Sequence, residues 1–112
     1  MPSKLQQYAA SLHAEQFAEG CTRVEDVKDR ELVNILGTIH SLTLRPRAGV
    51  PALEAEIEDG TGRMICIWLG RRSIRGIAPG TDIRISGRAS RDGKTLRVFN
   101  PRYVLLPGGR HE

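Results

Sequence analysis

Aromatic side chains are scarce in this chain: one Trp, two Tyr and two Phe amount to 4% of 112 residues. A binder that works mainly by laying bases on a platform of rings is poorly served by so few. Cysteine is thin as well. Cys21 and Cys66 make an even count, but Cys66 falls at an inward position of an alternating strand and Cys21 in a loop, so no disulfide is expected. With only these two and the scattered His13, His40 and His111, no metal-ligand spacing is present, and no cofactor is expected. No apolar run reaches the length of a signal-peptide core or a membrane span, so the simplest location is the cytoplasm. Catalytic groupings are missing too: the carboxylates sit on one strand face or in turns, and no Ser or Cys has a paired His in view. No Gly-rich loop carries a nucleotide fingerprint either, and no enzyme activity is expected.

The length suits one domain with one core, and the composition, 39% apolar and 27% charged, suits a fold with little to spare. The formal charge of +4 is unevenly spread. Residues 1–31 hold 4 Lys/Arg against 6 Asp/Glu, whereas residues 32–112 hold 13 against 7. Of the 17 basic residues 14 are Arg, a choice that suits forked contacts to phosphate and stacking on bases, and equally a GC-rich genome.

The most informative stretch runs from Ala52 to Leu69. Leu53, Ala55 and Ile57 alternate with Glu54, Glu56 and Glu58. After Asp59-Gly60-Thr61-Gly62, Met64, Cys66 and Trp68 alternate with Ile65, Ile67 and Leu69. Period two on both sides of a Gly-rich turn predicts a β-hairpin. Its second strand is apolar on both faces, so Met64, Cys66 and Trp68 face a core while Ile65, Ile67 and Leu69 form an outer stripe that needs a cover: this chain's own N-terminal helix, a partner, or nucleic-acid bases. The three outward Glu oppose phosphate unless basic groups pair with them.

Ser3 and Gln6 form a capping-box pattern, and the run from Lys4 to Glu19 lacks Gly and Pro until Gly20, which predicts an N-terminal helix with a thin apolar face. Cys21 to Glu31 reads as a charged connector. From Leu32 a long strand carries Val33, Ile35 and Ile39 on one face, with Gly37 where a bend would sit. Gly70 to Ile77 reads as a short basic connector of one or two helical turns, and Pro79-Gly80 as a turn. Ile83 and Ile85 mark a fourth strand, and Asp92-Gly93 a second hairpin turn. A fifth strand follows with Leu96 and Val98 inward and Arg97 and Phe99 outward. Tyr103 is expected as a buried anchor. The tail from Pro107 is expected to be disordered. The organisation is thus 1–31, helix and connector; 32–106, barrel; 107–112, tail.

A long bent strand, a hairpin, a short helical connector and a second hairpin fit a mainly β, five-stranded Greek-key barrel of the OB type. Such barrels bind oligonucleotides across strands two and three, with the loops between strands one and two and between four and five as lateral clamps. Here those loops are Arg45 to Pro51 and Arg91 to Lys94, both basic. The candidate nucleic-acid contacts are therefore Arg45, Arg47, Arg91 and Lys94 on the loops, and Arg71, Arg72 and Arg75 on the connector. Phe99 and Arg102 are the candidates near the last strand. Ile65, Ile67 and Leu69 form the candidate surface for bases or for a partner.

An ordered set of segments resembles one family, the wedge domain of the RecG-type branched-DNA helicases, together with short stand-alone OB proteins of actinobacteria. The set comprises Asp26-Val27, Val33 to Ile39 around Gly37, Arg45-Pro46-Arg47, Asp59-Gly60-Thr61-Gly62, Trp68, Pro79-Gly80, Ile85-Ser86-Gly87 and Asn100-Pro101-Arg102-Tyr103. It spans roughly residues 26 to 106. The resemblance implies an OB fold and binding to single-stranded or branched DNA, DNA being favoured over RNA. The chain departs from the family where an aromatic pair stacks at the branch: the matching positions are Leu69 and Ser73. It also lacks the Gly-Lys-Ser/Thr loop of a nucleotide-driven motor. The implied role is an accessory binding one without strand separation. The competing expectation is a protein-interaction adaptor working through the outer face of strand three, and a homodimer is compatible with either.

Overall fold

The computed structural model describes residues 20–106. The N-terminal helix expected over Lys4 to Glu19 and the tail from Pro107 lie outside the described residues. Six strands follow one 3-10 turn at Val24–Asp26: β1 Leu32–Leu44, β2 Ala52–Glu58, β3 Arg63–Leu69, β4 Asp82–Asp92, β5 Thr95–Phe99 and β6 Arg102–Leu105. Among the described residues no helix is long and apolar enough to cross a membrane.

β1 makes the barrel possible because it pairs on both sides. Leu32 to Thr38 run antiparallel to β4, and Thr38 to Leu44 run antiparallel to β2. The changeover occurs at Thr38, next to Gly37, where a Cβ would stand 2.7 Å from Ile57 Cγ2 and 2.8 Å from the Glu58 carbonyl oxygen. A side chain there would push β2 away, so the bend requires glycine. A register shift between Ile39 and Ser41 adds a bulge beside it. β2 and β3 form the expected hairpin, β3 pairs in parallel with β5, and β4 pairs with β5 and with β1. The order β1-β2-β3-β5-β4 therefore closes on itself into a five-stranded barrel. Its interior holds Ile35, Ile39, Ile57, Met64, Cys66, Trp68, Ile83, Ile85, Leu96 and Val98, the inward residues of the alternating patterns.

The hairpin turn is organised by one side chain. Asp59 is buried, and its carboxylate accepts hydrogen bonds from the backbone N–H groups of Thr61 (2.9 Å) and Gly62 (3.1 Å) and from the Thr61 hydroxyl (2.7 Å). Its second oxygen accepts from Val24 N at 2.8 Å, which ties the 3-10 turn to the bottom of the barrel.

The structure corrects the expected plan in two places. The connector between β3 and β4 is not helical. Gly70 and Gly76 take left-handed conformations (φ +79° and +86°), and a Cβ at Gly76 would collide with Leu105. Ile74 and Ile77 turn inward to join the core, joined by a single Ile77 N–H to Ile74 carbonyl bond of 3.1 Å. Core burial at i and i+3 with glycine on either side overrides the helical reading. Secondly, the chain does not stop at five strands. Asn100, left-handed at φ +49°, and Pro101 swing it into β6, which pairs with Ile83 to Ser86 of β4. β5 and β6 thus lie along one edge of β4, separated by a gap opposite Gly87 and Arg88.

Candidate nucleic-acid interface

The ladder registers set out the barrel's outer face as rows. One row reads Thr43, Glu54, Ile67, Phe99 across β1, β2, β3 and β5; the next reads Ser41, Glu56, Ile65, Arg97, continuing to Ser90 on β4. A shallow depression of about 150 Å³ lies among Ser41, Thr43, Arg45, Glu54, Glu56 and Ile65.

The acidic strand is matched by arginines. Arg47 reaches from the β1–β2 loop to Glu54 at 3.1 Å, and Arg63 pairs with Glu56 at 2.8 Å and with Glu58 at 3.3 Å. The three carboxylates that seemed to oppose phosphate therefore carry partners of opposite sign. Arg47 also lies over the Phe99 ring, 5.6 Å from its centroid. Because Ile67 stands between Glu54 and Phe99 in its row, Arg47 spans it.

The expected outer stripe is corrected at its middle. Ile67 is fully buried, Ile65 is half-buried and Leu69 is 41% exposed, so the three do not form a continuous accessible surface. Trp68 behaves as expected of a core residue: it is 6% exposed, and its indole N–H donates to the Pro101 carbonyl at 3.2 Å. Tyr103 packs edge-on against it, centroids 5.8 Å apart, but is 37% exposed rather than buried. Burial pushes the Cys66 thiol pKa far up, which leaves it a core group rather than a reactive one.

The basic candidates fall into distinct groups. Gly70 N donates to the Pro51 carbonyl at 2.7 Å, and Leu69 N donates to Asn100 Oδ1 at 2.9 Å. These bonds gather the β1–β2 loop, the start of the connector and the end of β5 at one end of the barrel, bringing Arg45, Arg47, Arg71 and Arg72 to the same rim. Arg45, Arg71 and Arg72 are exposed and have no side-chain hydrogen bond or ion pair among the described residues. Arg75 is exposed further along the connector. Lys94 lies at the opposite end of the face, in the β4–β5 hairpin, so the two loops stand at the two ends of β2 and β3.

Arg91 is a correction. Its Nε donates to the Val27 carbonyl and its Nη2 to the Val24 carbonyl, both at 2.7 Å, while its backbone N–H donates to Asp29 Oδ1 at 2.8 Å. It secures the 3-10 segment to β4 and is not a free phosphate contact. Two residues missing from the candidates belong beside the site. Arg97 is half-buried on the outer face next to Ile65 without a side-chain partner among the described residues. Its outward parity on β5 was the available signal. Arg88 borders a cleft of about 360 Å³ with Phe99 and Arg102, on the far side of Phe99's strand from β3. That cleft arises from the gap between β5 and β6, which no local sequence signal announces.

No protein-family model and no curated protein matches the chain. Solved structures do. RecG bound to a three-way DNA junction is similar with a TM-score of 0.65 at 16% identity, over 79% of this chain and 13% of that one. The HINb domain of p204 is similar with a TM-score of 0.63 at 15% identity, over 81% of this chain and 49% of that one. The OB domain of Ta0387 from Thermoplasma acidophilum, a solution structure, has a TM-score of 0.58 at 19% identity, over 77% of this chain and 86% of its own. The chain thus spans about half of the p204 chain and a small part of RecG. Closure through β1 and β4, the parallel β3–β5 pairing and these likenesses together identify the fold: the described chain is an OB-fold barrel.

Proposed function

We propose that this barrel is a non-catalytic nucleic-acid-binding module. It takes single-stranded or branched DNA with little sequence preference, DNA rather than RNA, in an accessory role in cytoplasmic DNA transactions. The observation that carries the reading is the split among the arginines. Arg47 and Arg63 neutralise the β2 carboxylates, while Arg45, Arg71 and Arg72, at the rim of the same face, have no side-chain partner among the described residues. Phosphates meet those three, Arg75 and Lys94, and one base reaches the exposed edge of Phe99. With a single exposed ring on the face among the described residues, backbone charge supplies most of the affinity, which is why sequence matters little. RecG, similar in fold and solved with a three-way DNA junction, supports the branched-DNA part of the reading.

Fluorescence anisotropy with labelled single-stranded, duplex and forked DNA and with RNA, at two salt concentrations, tests this. Salt-sensitive binding that is tightest to single-stranded or forked DNA is expected. Equal affinity for RNA removes the DNA preference, and salt-independent or absent binding removes the reading. The competing adaptor reading, through Ile65, Ile67 and Leu69 or through self-association, is weakened by the burial of Ile67 at its centre.

A further inference from the structure

The cleft beyond Phe99 continues the outer face around the barrel. β4 pairs with β5 as far as Ala89 opposite Val98, and with β6 from Ser86 opposite Arg102. Between these positions the ladder is interrupted, and the opening is about 360 Å³, within the range of small-ligand sites of about 300–1,000 Å³. Gly87 lies in its lining and packs closely on the barrel core, since a Cβ there would come within 2.8 Å of the buried Val98 Cγ1. Its walls carry donors suited to an anion beside an apolar ring. Arg102 is exposed and has no side-chain partner among the described residues. Arg88 is steadied by one bond, Nη1 to the Arg30 carbonyl at 2.6 Å, which leaves its remaining N–H groups available. Ser86, whose hydroxyl donates to Asn34 Oδ1 at 3.4 Å, lines the same opening, and Phe99 is 44% exposed.

Resting on the nucleic-acid reading above, we propose that this cleft is a terminal nucleotide subsite: the strand crossing β2 and β3 passes over Phe99, one base lies against that ring, and its phosphate is held between Arg88 and Arg102. The chemistry recognised is a nucleoside monophosphate unit of a single strand. Both arginines offer planar forks that match phosphate oxygens, and the open mouth accepts any of the four bases. Phe99 is the shared element. It ends the row of Thr43, Glu54 and Ile67 and begins the cleft, so the footprint is longer than the β2–β3 face alone provides.

The test uses oligothymidylates of about 4 to 16 nucleotides, the span of site sizes for one OB barrel, with the whole chain and its Arg102→Ala and Arg71→Ala/Arg72→Ala variants. Affinity of the unaltered protein is expected to rise with length until the cleft is filled. In Arg102→Ala the plateau should come at a shorter strand, affinity for long strands should fall about three- to tenfold, and the log-log salt slope should shallow by about 0.7, one phosphate's worth. Amide shifts at Ser86, Phe99 and Arg102 on titration with thymidine monophosphate provide a reading that needs no variant. If the loop double variant weakens binding while Arg102→Ala leaves length dependence and slope unchanged, the subsite is wrong and the module reading stands. Absence of thymidylate-induced shifts at those three amides overturns the subsite likewise. If the unaltered protein binds no strand of any length, both fall together.

Discussion

The guanidinium of Arg47 touches Glu54 on one side and the Phe99 ring on the other, directly above Ile67. One arginine thus neutralises an acid, shields an aliphatic side chain and shares the face of the exposed aromatic. Parity alone assigns Ile67 and Leu69 the same fate, because alternation states which way a side chain points and not what comes to lie on it. Their substitutions should therefore diverge. Ile67→Asp places a charge at a fully buried position and should destabilise by about 3 kcal/mol or more, whereas Leu69→Asp should stay within about 0.5 kcal/mol. Urea denaturation followed by circular dichroism measures both. Equal, small effects would mean that Ile67 is accessible in solution. Trp68→Ala removes the largest inward ring and the bond to Pro101, and should cost about 3–5 kcal/mol in the same experiment. Cys66, buried and held protonated by its surroundings, should resist iodoacetamide in the native protein at pH 8 and react only as the barrel unfolds. Rapid native labelling at that residue would contradict its place in the core.

At the level of elements, the hairpin of β2 and β3 was legible because turn chemistry and alternation agree, with Asp59 and two glycines flanked by period-two runs. Gly37 was legible for a similar reason, since a lone glycine inside a β-branched run marks a bend. Elements fixed by distant partners were not legible. The connector holds three arginines that favour a helix, yet the need to bury Ile74 and Ile77 and the close approach of Gly76 to Leu105 decide its path. β6 has four residues and exists through its pairing with β4. Arg91 reads as a loop cation until the carbonyls of Val24 and Val27, far away in sequence, occupy it. Loop cations without partners are a separate matter, and here composition was a sufficient guide. Replacing Arg71 and Arg72 together by Ala should shallow the salt dependence of single-strand binding by about 0.7 per lost phosphate contact while leaving the melting temperature within a degree or two. An unchanged slope would take the connector out of the interface.

For the molecule as a whole, the barrel is sealed unevenly. β1 and β4 share seven paired positions, from Leu32 opposite Arg88 to Thr38 opposite Asp82, whereas β3 and β5 meet at three, Ile65 to Ile67 against Arg97 to Phe99. The short parallel seam is the place where the structure opens with least loss, so its amides should exchange with solvent through local opening rather than through global unfolding. The Asn100 amide, bonded to the Ile67 carbonyl at 2.6 Å, reports on that seam directly. In deuterium exchange it should be less protected than the β1–β4 amides. Because Ile67 and Phe99 face each other across the seam, a strand lying over both holds it shut, and saturating oligothymidylate should slow exchange at Asn100 more than at Ile35. Uniform protection around the barrel, with or without ligand, would show that the seam is as firm as the rest. Protection that follows ligand concentration would make the weakest joint of the fold the part whose opening is coupled to what the protein holds.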